Sequence, residues 1–155
     1  SFIQRIRKRK EGIQRMIDQN QINIKNEEEE IYKENILDHF RNPHNLGRLE
    51  NPTFTHRELN PLCGDIITID VKLNNNSVED VKFYGSGCAI SQASVSMLTD
   101  YIKKKSIQYL KNIKREDILN LLGIPIGVVR LKCALLSLKV LSKGLEKYEN
   151  VKAWN

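Results

Sequence analysis

The alternation of apolar and polar side chains along residues 66–84 constrains the fold more than any other part of the chain. Apolar residues occupy every second position of its first half, at Ile67, Ile69, Val71 and Leu73. That period of two is typical of a strand that buries one face. Asn74-Asn75-Asn76 then tolerates the positive φ of a turn, and Val78 opens a returning apolar stretch. The segment therefore predicts a β-hairpin.

Helical patterns surround this hairpin on both sides. The predicted helices cover residues 27–41, 89–103, 115–122 and 128–148. The first should turn Tyr32, Ile36 and Phe40 inward. It should end before Asn42-Pro43, because the residue before proline avoids the α region. Gly123 is suited to cap the third helix, and one further short strand fits at 54–59. Together these elements predict an α+β fold: a single domain with a small antiparallel β-sheet and helices packed on one face.

We expect residues 1–26 to form a basic N-terminal arm, helical or flexible, ahead of a domain at 27–150 and a tail at 151–155. One helical stripe of the arm holds Ile3, Ile6, Ile13 and Ile17. Lys10 interrupts that stripe, and Gly12 weakens a helix by about 1 kcal/mol. The polar stretch 20–26 predicts a linker. The arm is either an amphipathic helix that docks on a partner or a solvated, half-formed extension.

The net charge of +6 is concentrated in this arm. Residues 1–25 hold seven basic and two acidic side chains, which leaves 18 basic and 17 acidic ones for the other 130 residues. A nearly neutral body offers no broad surface for phosphates, so nucleic-acid binding is not expected.

The chain carries no export or membrane signal that the sequence reveals. No stretch approaches the ~18 apolar residues of a membrane span, and Ser1–Arg7 lacks the apolar core of a signal peptide. Unpaired cysteines favour a reducing compartment, so we expect a cytoplasmic protein with no membrane partner. An organellar matrix stays open, because the first fifteen residues are basic and poor in acids.

Three cysteines, an odd count, stand far apart in the sequence: Cys63, Cys88 and Cys133. Cys63 opens the turn Cys63-Gly64-Asp65, and Cys88 sits at the predicted start of a helix, where an anion is favoured. Cys133 lies beside Lys132, which also favours a thiolate, although it could equally be a small buried side chain. If the three converge with Asp65, they offer three thiolates and a carboxylate for zinc or an iron–sulfur cluster.

The histidines suggest no metal motif. His39 is predicted to pack or cap, and His44 and His56 fall in loop-like stretches where solvated side chains are usual. None has the spacing of a zinc motif relative to a cysteine.

Four stretches together resemble the U-type iron–sulfur cluster assembly scaffolds, which comprise IscU, SufU and the N-terminal domain of NifU. They are Leu37-Asp38-His39-Phe40-Arg41-Asn42-Pro43, Asn60-Pro61-Leu62-Cys63-Gly64-Asp65, Gly85-Ser86-Gly87-Cys88-Ala89-Ile90-Ser91 and Leu131-Lys132-Cys133-Ala134. The resemblance covers roughly Ile31 to Tyr148.

This resemblance implies one site made of Cys63, Asp65, Cys88 and Cys133. In the family, that site holds a nascent 2Fe–2S cluster, or zinc, and a cysteine desulfurase supplies the sulfur. It also implies a scaffold rather than an enzyme, with apo iron–sulfur proteins as acceptors and a monomer or weak dimer as the assembly. The candidates for persulfide acceptor are Cys63 and Cys133.

The branch of the family stays open. The stretches around Cys88 and Cys133 look like SufU, whereas the 45-position spacing between these cysteines is close to the Isc branch. Lys132 stands where the Isc branch usually has a histidine. Two alternatives to a scaffold therefore remain: a zinc-dependent sulfurtransferase, and a structural zinc domain whose basic arm binds a partner.

Overall fold

The computed structural model describes residues 1–154, which form five helices and a three-stranded sheet. The helices are α1 (Phe2–Arg41), α2 (Ala89–Ile102), α3 (Ile107–Lys111), α4 (Arg115–Leu122) and α5 (Val128–Trp154). The strands are β1 (Phe54–Asn60), β2 (Asp65–Asn74) and β3 (Ser77–Ser86). Within this part of the chain, no helix combines the length and the apolar character that a membrane crossing requires.

The sheet consists of two successive hairpins in the order β1-β2-β3, with both pairs antiparallel. The predicted hairpin is confirmed: β2 and β3 pair with Ile69 opposite Phe83. Asn75 and Asn76 make the turn with φ of 51° and 62°, a conformation that asparagine tolerates. The predicted short strand is confirmed as β1.

Helices α2 and α5 cover one face of this sheet, which confirms the predicted α+β class. The buried apolar side chains of the strands meet those of α2 and α5 in one core: they include Ile67, Ile69, Val71, Val81, Phe83, Val95, Leu98, Val140 and Leu141. On the strand β2, Asp70 is buried instead by the loop that precedes β1. It accepts hydrogen bonds from Arg48 Nε at 3.0 Å, from the Leu49 N–H at 3.0 Å and from Thr55 Oγ1 at 2.8 Å.

Helix α1 runs without interruption through the stretch where a linker was predicted, so the linker at 20–26 is wrong. Ser1 and Gln4 cap its start reciprocally, and it ends before Pro43 as predicted. Asparagine and glutamine lower helix propensity only slightly, and neither glycine nor proline occurs between Gly12 and Pro43. The domain limits at 27–150 stay a prediction.

Three further details differ from the sequence-based expectations. Helix α1 buries Ile36, as predicted, and also His39, whereas Tyr32 and Phe40, which were predicted to face inward, are 40% and 42% exposed. The short helix α3 was not predicted. Helix α5 continues to Trp154 and absorbs most of the predicted tail at 151–155, of which Asn155 lies outside the described residues. Gly123 caps α4 with φ of 71°, as predicted.

Candidate metal and sulfur site

Cys63 lies in the tight turn that joins β1 to β2. Asn60 and Asp65 are paired across the two strands, so only the four residues 61–64 connect them. Gly64 has φ of 70°, in the left-handed region, and its N–H donates to the Asn60 carbonyl at 2.8 Å. This closed turn leaves Cys63 exposed at the tip of the hairpin.

Asp65 is buried at the start of β2 and is only half satisfied. Its Oδ1 accepts a hydrogen bond from the Cys88 N–H at 2.9 Å, whereas Oδ2 is buried without a hydrogen-bond partner. A carboxylate oxygen in that state is costly unless a cation or a donor meets it. Asp65 therefore has the properties of an available ligand.

Gly87 allows this carboxylate to approach the backbone of the β3–α2 junction. A Cβ at this position would lie 2.2 Å from Asp65 Oδ1 and 2.8 Å from Ser91 Oγ. The stretch Gly85-Ser86-Gly87-Cys88 thus serves to bring the main chain against Asp65.

Cys133 approaches the turn from α5. Its sulfur is 3.0 Å from the Cys63 sulfur, and Asn60 Nδ2 lies 3.7 Å from it. One ligand atom each from Cys63, Asp65 and Cys133 lie within 4.8 Å of one another. The structure thus brings together three of the four side chains singled out in the sequence. Asn60 was not singled out from the sequence as a member of this site, although Asn60 lies only three residues before Cys63.

Cys88 occupies the N-cap position of α2, as its sequence context predicts. Its main chain holds Asp65, but its half-buried sulfur is not part of the 4.8 Å group of Cys63, Asp65 and Cys133. Cys88 therefore contacts this group through its main-chain N–H, which donates to Asp65.

The pKa of the Cys133 thiol is raised well above its ordinary value. Burial is the largest cause, followed by the close contacts with Cys63 and Asp65 and by the nearby charges of Cys88 and Asp65. The expectation that Lys132 favours a thiolate here is wrong for the metal-free chain, because Lys132 points to solvent while Cys133 is buried. A bound cation would reverse this preference, since it binds the thiolate form.

The donor set of this site suits zinc or iron. Thiolates are soft ligands for both metals, and carboxylate oxygens bind either. Two observations fit a site whose side chains bind a cation together: Oδ2 of Asp65 is unpaired, and the Cys63 and Cys133 sulfurs are only 3.0 Å apart.

A second group of ligand-type side chains contains His39, His44 and Asp100. Buried His39 packs as predicted and shares a 2.7 Å hydrogen bond with Ser96 Oγ, while the His44 ring pairs with Asp100 at 2.5 Å. His56 differs from its prediction: it is buried in β1 and bonds to Glu58 at 2.9 Å. These contacts give each histidine a structural role.

Comparisons with known proteins agree with this geometry. The family model described as the NifU-like N terminal domain matches residues 31–154. The chain is 40% identical over 136 residues to the zinc-dependent sulfurtransferase SufU of Bacillus subtilis (strain 168), and this match covers 77% of this chain and 92% of that protein.

A second relative is the iron–sulfur cluster assembly scaffold protein IscU of Aquifex aeolicus (strain VF5). It is 39% identical over 119 residues, which covers 76% of this chain and 75% of that protein. The crystal structure of the N-terminal part of a nitrogen-fixing NifU-like protein from Brucella abortus has a TM-score of 0.63 at 21% identity, covering 75% of this chain and 92% of that one, and shows the shared fold. With its family model matched over most of the chain, this protein belongs to the family of NifU-like N-terminal domains, which includes IscU and SufU relatives.

Proposed function

We propose that this protein is a scaffold on which a nascent 2Fe–2S cluster is assembled and then passed to apo iron–sulfur proteins. The observation that carries the proposal is the convergence of Cys63, Cys133 and buried Asp65, whose carboxylate keeps one oxygen unpaired. We assign Cys88 as the fourth ligand, because its backbone is already held against Asp65. The relative from Aquifex aeolicus, which is named a scaffold protein, supports this function.

Sulfur enters the site through Cys63 in this proposal. Cys63 is exposed at the tip of the hairpin, whereas Cys133 is buried and its pKa is raised by that burial. A groove of about 640 Å³ flanks the turn, and Leu62, Arg115, Lys132 and Lys139 are among its lining residues. We assign this groove to the persulfide-bearing loop of a cysteine desulfurase.

The transfer step is a thiol–persulfide exchange. The Cys63 thiolate attacks the outer sulfur of the desulfurase persulfide, a new S–S bond forms on Cys63, and the desulfurase cysteine leaves as a thiolate. Cys133, with its sulfur 3.0 Å from that of Cys63, is the second acceptor. Each transferred sulfur must gain two electrons to become sulfide, and we assign these to an external thiol or reduced iron–sulfur protein.

Asp65 gives the assembled cluster a weak point from which it can leave. A carboxylate oxygen is a harder and weaker ligand for iron than a thiolate, so a mixed set of ligands holds the cluster less firmly than four thiolates would. The three free thiols also require a reducing environment, and on that ground we place the function in the cytoplasm or an organellar matrix.

A zinc-dependent sulfurtransferase is the second candidate. The relative from Bacillus subtilis carries that name, and the donor set of the site suits zinc. In this case the side chains of the site would hold zinc, which would keep the thiols in the thiolate form, and one of these thiolates would accept the sulfur. Cys63 is the thiolate with the necessary exposure.

Anaerobic reconstitution with iron, cysteine, a desulfurase and a thiol reductant tests the proposal. The wild type should develop the visible absorption of a cluster and transfer it to an apo-ferredoxin. Cys63→Ser, Cys88→Ser and Cys133→Ser should each lose stable cluster, and Val151→Ser, at an exposed position near the far end of α5 and outside the groove, is the control. Elemental analysis of the same samples records iron and zinc.

Two results would contradict the scaffold, and a third would contradict one of its assigned ligands. A colourless zinc protein that carries persulfide but no cluster would establish the sulfurtransferase instead. A zinc protein that neither accepts sulfur nor stimulates the desulfurase, and that unfolds when zinc is removed, would establish a structural zinc domain. Full cluster formation by Cys88→Ser would overturn the assignment of Cys88 as a ligand.

A further inference from the structure

The exposed part of α1 carries a heptad pattern that the site does not use. Between residues 3 and 31, positions separated alternately by three and four residues are isoleucine in six of nine cases. These isoleucines are Ile3, Ile6, Ile13, Ile17, Ile24 and Ile31; the other three positions are Lys10, Asn20 and Glu27. A repeat of 3.5 residues is the pattern of helices that wind around one another, in which positions a and d form the seam.

We call the nine a and d positions of α1 between residues 3 and 31 the seam. The seam is open to solvent along its whole length. Its six isoleucines are between 41% and 76% exposed. At 1.5 Å per residue the stripe is roughly 40 Å long. An exposed apolar stripe of that size marks an interaction surface rather than a scatter of single side chains.

The contacts of α1 with the rest of the chain lie on a different face. Tyr32 packs against Gly123, where an added Cβ would come within 2.1 Å of its ring, and Ile36 is buried. Lys25, Glu28, Glu29 and Tyr32 line a groove shared with the segment that joins α4 to α5. In the heptad Lys25, Glu29, Tyr32 and Ile36 hold the outward positions b and f and Glu28 holds the flanking position e, so the attachment leaves positions a and d of the seam uncovered.

We propose that a second copy of this chain covers the seam, with the two α1 helices antiparallel and related by a twofold axis. The charges of the helix favour this partner. Residues 7–10 are all basic and residues 27–30 are all acidic, so an antiparallel pair places opposite charges against each other. The basic arm is thereby complementary to an acidic segment of its own chain type.

One register places opposite charges together and pairs four of the six isoleucines with one another, while Ile17 faces Asn20 and Ile3 faces Glu34. With Lys10 opposite Glu27 of the second copy, Ile6 faces Ile31 and Ile13 faces Ile24 across the seam. At the flanking positions e and g, Arg7 faces Glu28 and Arg9 faces Glu30. The twofold axis repeats each of these pairs.

A parallel pair lacks these advantages. It would place Lys10 against Lys10 and Glu27 against Glu27, and like charges in a seam disfavour that orientation. The same side chains have only weak partners within the chain: Arg7 meets Glu11 at 3.3 Å, and Glu30 meets Lys33 at 3.4 Å. Both of these pairs are exposed, so they compete little with an interchain contact.

Sedimentation equilibrium of the full chain tests this assembly. The wild type should shift from monomer to dimer as the protein concentration rises. Reversing the charges with Arg7→Glu plus Arg9→Glu should weaken it by about tenfold or more, because four attractions become repulsions. The matched control, Lys8→Glu plus Arg15→Glu, changes the net charge equally at outward positions f and should leave the dimer intact.

Two further variants test the orientation and the seam. Adding Glu28→Arg and Glu30→Arg to the first pair of substitutions swaps the charges and restores the original net charge. It should recover the dimer if the helices are antiparallel. Ile24→Asn should dissociate it, whereas Ile22→Asn, an exposed isoleucine at position f, should not. Circular dichroism checks that each variant keeps its helix content.

Several results would overturn the proposal. A wild type that stays monomeric at every accessible concentration leaves the seam to another kind of partner. A dimer that Arg7→Glu plus Arg9→Glu does not weaken, or that Lys8→Glu plus Arg15→Glu weakens as much, rules out this register. A charge-swapped variant that keeps its helix but stays monomeric rules out the antiparallel orientation.

Discussion

The main-chain N–H of Cys88 donates a 2.9 Å hydrogen bond to Oδ1 of Asp65. This contact joins the start of β2 to the start of α2 and uses only one of the two carboxylate oxygens. The other, Oδ2, is buried and unpaired, and the carboxylate contributes an oxygen to the group that lies within 4.8 Å of the Cys63 and Cys133 sulfurs. The fold therefore holds the carboxylate in place through one oxygen and leaves the second unpaired. On this ground we propose Asp65 as the residue whose replacement alters cluster retention.

Replacing Asp65 with Ala should slow cluster release and lengthen the lifetime of the cluster, by on the order of tenfold, because it removes the weak oxygen ligand. The measurement is the half-time of transfer from reconstituted protein to an apo-ferredoxin. Asp65→Asn serves as the control, because its amide oxygen can still accept from the Cys88 N–H while the negative charge is lost. Transfer from Asp65→Ala at the wild-type rate would contradict the role of the carboxylate.

Gly87→Ala should distort the site without changing any proposed ligand. Its Cβ would meet Asp65 Oδ1 at 2.2 Å, so the carboxylate or the β3–α2 junction must move. We expect the free energy of unfolding to fall by about 1–3 kcal/mol, the usual result of forcing extra volume into a packed region. Urea unfolding measures this, and a zinc competition assay should show weaker binding.

Gly127→Ala is the matched control for that change. No heavy atom lies within 4 Å of a Cβ added at Gly127, just before α5. It should leave both stability and zinc affinity near those of the wild type. Equal effects of the two substitutions would show that the close approach to Asp65 is not what requires glycine at position 87.

The sequence predicted the sheet and the C-terminal end of α1 better than it predicted the middle of α1. The period-two pattern of β2 and the proline after Asn42 are local signals, and local geometry decides those elements. The polar stretch 20–26, by contrast, was predicted to be a linker. It is helical because side chains of low propensity, unlike proline, weaken a helix without blocking its hydrogen bonds.

The candidate site could be anticipated only in part for a related reason. Cys63 and Asp65 are neighbours in one turn, so their closeness follows from the sequence. The approach of Cys133 to within 3.0 Å of Cys63 depends on how α5 packs across β1, which no local pattern specifies. The same packing buries Cys133, and the effect of burial on the pKa of its thiol is larger than that of the positive charge on Lys132. The direction of this pKa shift therefore could not be predicted from the neighbouring residues in the sequence.

The thiols should react at very different rates in the metal-free protein. Cys63 is exposed, whereas Cys133 is buried and its pKa is raised, so Cys133 stays protonated at pH 8. We expect alkylation of Cys63 to exceed that of Cys133 by at least about tenfold, because the thiolate is the reactive form. Mass spectrometry of iodoacetamide time courses measures both rates.

The urea-unfolded chain provides the control for this comparison, since both thiols are solvated there and should react alike. Zinc should protect Cys63 and Cys133 together and release protons as it binds. Similar rates for the two thiols in the folded, metal-free protein would contradict the burial of Cys133.

Stability should also depend on pH through His39, whose pKa is lowered from 6.5 by burial and then by the neighbouring His44. Between the pKa of His39 in the folded protein and 6.5, the unfolded chain binds more protons than the folded chain. The free energy of unfolding therefore rises with pH in this range and falls as the pH is lowered. Urea unfolding of the metal-free protein at a series of pH values from 7.5 to 5.5 should show a decline of at most about 1.4 kcal/mol per pH unit from this group. His39→Gln should flatten that part of the curve, because carboxyl groups titrate at lower pH. An equal decline in the variant would assign the effect to another group.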